Sequence, residues 1–284
     1  MLIFLIIQAL KNVGSGFRGG ADVVVIDWID PNPFLDLMKK PSLLALMSTG
    51  YSWIDTKKAR KLGISVSNVP GYAARAVAEH LIGLMFAVAR KTVIGDAGIK
   101  KGNKEKGYLN GIEMSGRRAG IIGLGNIGGC LVRMLSGFGM EVCGYDVAPK
   151  NIQGIKNVSL DELLRNSGVV FIACDLNDSS RNMLNFEKLK LLKPSAILLA
   201  STWGVVDLGA ITEILKNKQI YGAGFDVAME GGDIVLPKEF IDLENVVLTP
   251  HIGYNTEEAK IRQVDICISN IKKYISGKPE NIVN

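Results

Sequence analysis

The chain has 284 residues, of which 48% are hydrophobic, with 33 basic and 28 acidic residues and a formal net charge of +5. That composition excludes disordered and fibrous classes and leaves room for two domains of ~100–200 residues each. The charges form no basic block that would mark a nucleic-acid footprint, and no apolar run reaches the ~18 residues of a membrane-spanning helix.

The four cysteines, Cys130, Cys143, Cys174 and Cys267, lie far apart without a Cys-x-x-Cys pair. They therefore point to neither a metal site nor a redox dithiol, and reduced thiols in a cytoplasmic protein are expected. The opening MLIFLIIQAL lacks a basic flank and a small-residue cleavage site, so it reads as a buried strand rather than a signal peptide.

Apolar runs at Leu2–Ile7, Ala21–Ile26, Leu43–Met47 and Ile64–Ser67 predict strands, with helical stretches between some of them. Such alternation implies a parallel sheet. Turn residues follow these runs at Pro31–Pro33, at Ser48, Thr49 and Gly50, and at Asn68–Gly71. Ligands of open parallel sheets gather beyond the carboxyl ends of strands, which makes Ser48–Tyr51 and Asn68–Arg75 candidate substrate loops, with ordinary connections as the plainer alternative.

Ala76–Arg90, AVAEHLIGLMFAVAR, is apolar around most of a helix and so predicts burial on several sides, at a domain or subunit interface. A homodimer is the expectation. His80 within it reads as a satisfied interior histidine. Thr92–Met114 is rich in Gly and Lys with weak periodicity, and predicts a surface crossover.

The stretch RAGIIGLGNIGGCLVRMLSGFGMEVCGYD, Arg118–Asp146, is a complete strand, turn, helix and strand. A Gly-x-Gly-x-x-Gly string is weak evidence in a chain with 32 glycines, but the flanking strand, helix and terminal acid supply the context that the dinucleotide motif requires. Gly123 permits the tight turn, Gly125 lets the backbone approach a pyrophosphate, and Gly128 lets helix and strand pack closely. Asn126 and Ile127 open a helix whose free N–H groups and dipole favour phosphate. Asp146 is placed to accept from the ribose hydroxyls, and Val147, Ala148 and Pro149 offer no Arg for a 2′-phosphate, so NAD is expected. A ligand-free Gly-rich turn is the alternative.

The alternation then resumes, with helices at Leu160–Asn166, Glu187–Leu192 and Gly209–Asn217 and strands at Gly168–Cys174, Ala196–Ala200, Tyr221–Val227 and Val246–Leu248. This completes a doubly wound sheet. A last helix, Thr256–Ser276, carries Glu257 and Glu258 in its first turn and stops before Gly277 and Pro279.

Several strings together resemble the D-2-hydroxyacid dehydrogenase family, which includes glycerate and phosphoglycerate dehydrogenases: AVAEHLIGLMFAVAR, GIIGLGNIGG with Asp146, LKPSAILLA, GAGFDV, VVLTPHIGYNTEEA and the ending NIKKYISGKPENIVN. The resemblance covers nearly the whole chain. It implies an α/β protein of two Rossmann-like doubly wound parallel-sheet domains, with the NAD domain (91–255) inserted in a smaller discontinuous substrate domain (1–90 and 256–284). It also implies an active site in the cleft between them and no regulatory domain after the last helix.

The implied chemistry is hydride transfer between nicotinamide and a small 2-hydroxy or 2-oxo acid such as glycerate, hydroxypyruvate or glyoxylate. The family's proton donor matches His251, one of only two histidines, and its nicotinamide-carboxamide residue matches Asp226. The same resemblance assigns Ser201, Thr202 and Gly253 to the cofactor's surroundings and Ser48, Thr49 and Gly50 to the substrate.

At two positions the sequence departs from the family. The carboxylate-binding Arg falls on Trp203 counting from the preceding strand, or on Thr202 counting back from Asp207. A neutral indole N–H cannot replace a planar, bidentate guanidinium. Either another cation substitutes, for which Arg75 beside the Asn68–Ala74 loop is the candidate, or catalysis is impaired. The family's Glu falls on Gly231, with Glu230 one residue earlier; a one-residue deletion would leave Glu230 beside His251, whose pKa a carboxylate would raise, and a solvated loop acid is the equal alternative. Two functions stay open: an NAD-dependent dehydrogenase with altered acid recognition, or an NAD(H)-binding regulatory or impaired homologue. Another reaction class on the same fold is a weaker third.

Overall fold

The computed structural model describes residues 4–8, 23–27, 30–37, 43–148, 150, 152–227 and 236–284. It divides into two compact units, one of Met1–Ala73 with Asn255–Asn284 and one of Ala74–Tyr254.

The smaller unit is built on four parallel strands in chain order, β1 (Phe4–Gln8), β2 (Val23–Asp27), β3 (Leu43–Leu46) and β4 (Ser65–Ser67). The opening run is thus a strand, paired residue for residue with β2. Between β3 and β4 lies α1 (Thr56–Lys61), whose N-cap Asp55 accepts from Lys58 N. Val24, Ile26, Leu44, Leu46, Ile64 and Val66 form the core of this unit with Leu35 and Ile54. The last helix of the chain, numbered α9 below (Glu257–Ile275), is capped by Thr256 and has acids in its first turn and lysines in its last, the arrangement its dipole favours. It is tied back to this unit by Arg262 Nε donating to Tyr72 O and Asn270 Nδ2 to Asn68 O.

The larger unit opens with α2 (Ala74–Ala89) and α3 (Thr92–Lys100), then runs β5 (Arg118–Ile122), α4 (Asn126–Ser136), β6 (Glu141–Tyr145), β7 (Lys156–Asn157), α5 (Leu160–Asn166), β8 (Val169–Ile172), α6 (Phe186–Leu189), β9 (Ile197–Ala200), α7 (Leu208–Lys216), β10 (Gly222–Asp226), α8 (Lys238–Ile241) and β11 (Val246–Thr249). Its seven strands are parallel in the order β11-β10-β9-β8-β5-β6-β7. Chain order therefore reverses at β5, and the turn after β5 lies at the switch point where doubly wound sheets take their ligands. Buried runs such as Val169–Ile172 and Ile197–Ala200 are apolar throughout because both faces of a parallel sheet are covered.

Two expectations shift. The sequence places Ala76–Arg90 with the first segment, but α2 lies in the larger unit and packs on α4, β9 and β10. Its nearly continuous apolar surface is satisfied there, by burial of Ala78, Leu81, Leu84, Met85 and Val88. Thr92–Met114 is not wholly a crossover, because its first nine residues form α3. Gly95 and Gly98 hide the periodicity; a Cβ at Gly98 would stand 2.9 Å from the hydroxyl of the exposed Tyr108, which would have to turn aside.

Candidate active site

The turn after β5 shows three glycines with three different constraints. Gly123 has φ +93° and sits against the backbone of Cys174, a conformation that only glycine adopts readily. At Gly128 a Cβ would lie 2.1 Å from Gly123 O, so close packing of α4 on the turn forbids any side chain. At Gly125 a Cβ would meet nothing within 4 Å. The backbone there borders open space at the start of α4, where Asn126 and Ile127 form the first helical turn without a side-chain cap.

Asp146, just past β6, accepts from Leu124 N at 2.7 Å through Oδ2 and from Ala148 N at 3.0 Å through Oδ1. Partial burial would raise its pKa; the N–H groups of Leu124, Ala148 and Val147 and the charge of Lys150 outweigh that and hold it below the ordinary value. An anion fixed beside the glycine turn, open space over Gly125 and uncapped N–H groups together fit a dinucleotide with free ribose hydroxyls.

The second constellation lies at the carboxyl ends of β10 and β11. Asp226, its side chain only 2% exposed, accepts from Thr249 Oγ1 at 2.7 Å and Ile252 N at 2.9 Å through Oδ1, and from Gly253 N at 2.7 Å through Oδ2. Burial would raise this carboxyl, but donors from His80, Thr249, Ile252 and Gly253 prevail and bring its pKa down to about 2. His251 stands within that loop at φ +51°, its N–H donating to Thr249 O at 3.0 Å. Its ring meets that of Tyr254 edge to face, with centroids 5.5 Å apart. Gly253 is packed so that a Cβ would lie 2.8 Å from Asp226 Oδ2 and 3.4 Å from the His80 ring.

Trp203 follows β9 with Ser201 and Thr202, all half-buried. Its ring lies among aromatic side chains. It packs edge-on against Phe225 (5.5 Å) and Phe240 (6.1 Å), which contact each other at 5.7 Å. Trp203 is thus part of the apolar cluster on this side of the sheet.

In the smaller unit, the Ser48 hydroxyl donates to Gly50 O and that of Thr49 to Val69 O, while Asn68 Nδ2 donates to Thr49 O. Both hydroxyl protons are therefore engaged, that of Ser48 within its own loop and that of Thr49, with the Asn68 bond, in lacing the two strand-end loops together; at Gly50 a Cβ would meet nothing within 4 Å. Arg75 belongs to the larger unit, exposed in the first turn of α2. Glu230 and Gly231 lie outside the described residues. Among the described residues no cluster of His, Cys, Asp or Glu could hold a metal ion, and no helix is long and apolar enough to cross a membrane.

The structure also brings in a residue that sequence reasoning had set aside. His80 Nε2 lies 2.8 Å from Thr249 Oγ1 and 3.5 Å from Asp226 Oδ1. It is satisfied, as expected, but its partners belong to the loop that carries His251. Thr249, inside the string that flagged His251, gave no separate signal.

Fold and site define an NAD-binding α/β oxidoreductase, and comparison with known proteins is specific about which kind. Residues 82–253 match the family model of the D-isomer specific 2-hydroxyacid dehydrogenase, NAD binding domain. Glycerate dehydrogenase of Methylorubrum extorquens is 33% identical over 93% of this chain and 86% of its own. Glyoxylate reductase of Thermococcus litoralis is 34% identical over 92% and 82%. The structure of D-lactate dehydrogenase from Aquifex aeolicus, complexed with NAD and lactic acid, superposes with a TM-score of 0.80 at 26% identity, over 91% of this chain and 84% of that one. The chain belongs to the D-isomer-specific 2-hydroxyacid dehydrogenase family, and its cofactor is NAD.

Proposed function

We propose that the protein interconverts a small 2-hydroxy acid and its 2-oxo acid, of the glycerate, hydroxypyruvate or glyoxylate type, with His251 as the acid–base group. The observation that carries this is His251 itself, held in a left-handed turn at the carboxyl edge of the same sheet whose switch point carries the glycine turn. Bound NAD supplies the hydride acceptor, or as NADH the donor. Gly123, Gly125, Asn126, Ile127 and Gly128 hold the pyrophosphate, Asp146 the ribose, and Ser201, Thr202, Gly253 and Asp226 flank the nicotinamide end. Asp226 Oδ2 accepts from Gly253 alone among the described residues, which leaves it one acceptor position for a carboxamide.

His251 donates a proton to the carbonyl oxygen as reduction proceeds and withdraws it in the reverse direction, the two-way transfer for which histidine is the side chain most often used. Glu230 is assigned to assist it. The substrate's acid group is assigned to Arg75, because Trp203 is engaged with Phe225 and Phe240. Steady-state oxidation of NADH with glyoxylate, hydroxypyruvate and a panel of other 2-oxo acids tests the reading. Absence of turnover across the panel, with NADH still bound, would favour the second reading, an NAD(H)-binding regulatory homologue, for which the lack of a cation at Trp203 is the motivating observation.

The assembly we assign is a homodimer of a cytoplasmic protein. Exposed apolar side chains at Val93 and Ile99 of α3, at Tyr108 and at Phe138 support it. Light scattering after size exclusion reads the mass directly.

A further inference from the structure

We infer that His80 is a positioning residue for His251, acting through Thr249 and Asp226; the inference rests on the assignment of His251 as the acid–base group.

The direction of each bond in the chain can be worked out. An ionised carboxylate only accepts, so the 2.7 Å contact between Thr249 Oγ1 and Asp226 Oδ1 places the hydroxyl proton on the Asp226 side. Thr249 then has no proton left for His80, and the 2.8 Å contact between them requires His80 Nε2 to carry one and donate it. Nε2–H also faces Asp226 Oδ1 at 3.5 Å. The order is fixed: His80 donates to Thr249, Thr249 to Asp226, and Asp226 receives the N–H groups of Ile252 and Gly253.

Those two peptide groups immediately follow His251. A non-glycine residue at φ +51° is strained, and such a conformation persists only where its surroundings over-determine it. Here they do so from three directions. Thr249 O accepts from both Val227 N and His251 N, Asp226 pins the next two residues, and the His80 ring packs against Gly253 at van der Waals distance. His80 is itself anchored in α2, which packs on β9, β10 and β11. It touches neither cofactor nor substrate in this assignment; its effect is on where the His251 imidazole points.

The test is a set of three variants of the full chain, His80→Leu, His80→Gln and Thr249→Val. Leu keeps volume and removes the donor, Gln returns an N–H near the Nε2 position, and Val removes the relay hydroxyl. The first readout is amide hydrogen exchange at Ile252 and Gly253, which needs no turnover. Protection should fall about tenfold or more in His80→Leu and Thr249→Val and recover in His80→Gln, with circular dichroism and NADH affinity unchanged.

The second readout is kcat for 2-oxo acid reduction, expected to drop about tenfold to a hundredfold in the same two variants, since misplacing a catalytic group by ~1 Å has that order of effect. KM for NADH should stay within about twofold. Unchanged exchange in both His80→Leu and Thr249→Val would overturn the proposal, as would loss of NADH binding in parallel with kcat, which would mark a general structural role. If the unmodified protein turns over no 2-oxo acid, the proposed function fails while the exchange result still decides the role of His80.

Discussion

The indole of Trp203 meets the ring of Phe225 edge to face, with centroids 5.5 Å apart and planes at 79°. Phe225 precedes Asp226 in β10, so Trp203 packs against the residue next to the carboxylate that fixes the loop. Trp203→Ala should therefore act mainly on stability, costing about 2–4 kcal/mol through the cavity and the lost aromatic contacts. Trp203→Phe should cost about 1 kcal/mol. Urea unfolding of the two variants measures both, and equal midpoints would show that the ring does not pack as described.

Asp226 makes stability depend on acid in a defined window. Its carboxyl is held at about 2 when folded, below the ordinary value of 3.8. A depressed folded value means that the ionised form stabilises the native state above about pH 4, and that this contribution fades as pH falls toward 2. The difference amounts to about 2 kcal/mol. Asp226→Asn should flatten the fall in thermal midpoint between pH 4 and 2; an unchanged slope would remove Asp226 as its source.

The glycine turn predicts two different failures from one kind of substitution. Gly128→Ala drives a Cβ to 2.1 Å from Gly123 O and should lower the melting temperature by several degrees, by splaying α4 from the turn. Gly125→Ala meets no protein atom within 4 Å. Its folding should be intact, while NADH affinity measured by fluorescence titration falls tenfold or more because the methyl occupies the pyrophosphate approach. If the two variants behaved alike, the separate roles given to these glycines would be wrong.

His251→Asn separates chemistry from conformation. Asn tolerates a left-handed backbone better than most side chains, so stability should be unchanged or rise by a few tenths of a kcal/mol. Turnover should fall by about 10²–10⁴ with NADH binding retained. Retained turnover would dismiss His251 as the acid–base group.

What the sequence by itself determined is what short-range spacing encodes. The turn from Gly123 to Gly128 and the acid at Asp146 are readable because strand, turn, helix and strand follow within thirty residues, each with its own periodicity. The string around His251 was legible in the same way. Tertiary structure decided what depends on partners far apart in the chain. The helix α2 reads as apolar on most sides, but only its packing on β9 and β10 shows that the surface is filled within the larger unit. Trp203 has the same sequence whether it faces a ligand or a core, and only the fold brings Phe225 and Phe240 against its ring. His80 and Thr249 are 169 residues apart. Neither has a pattern that names the other, because a hydrogen bond depends on donor, acceptor and distance, and the fold alone supplies the distance.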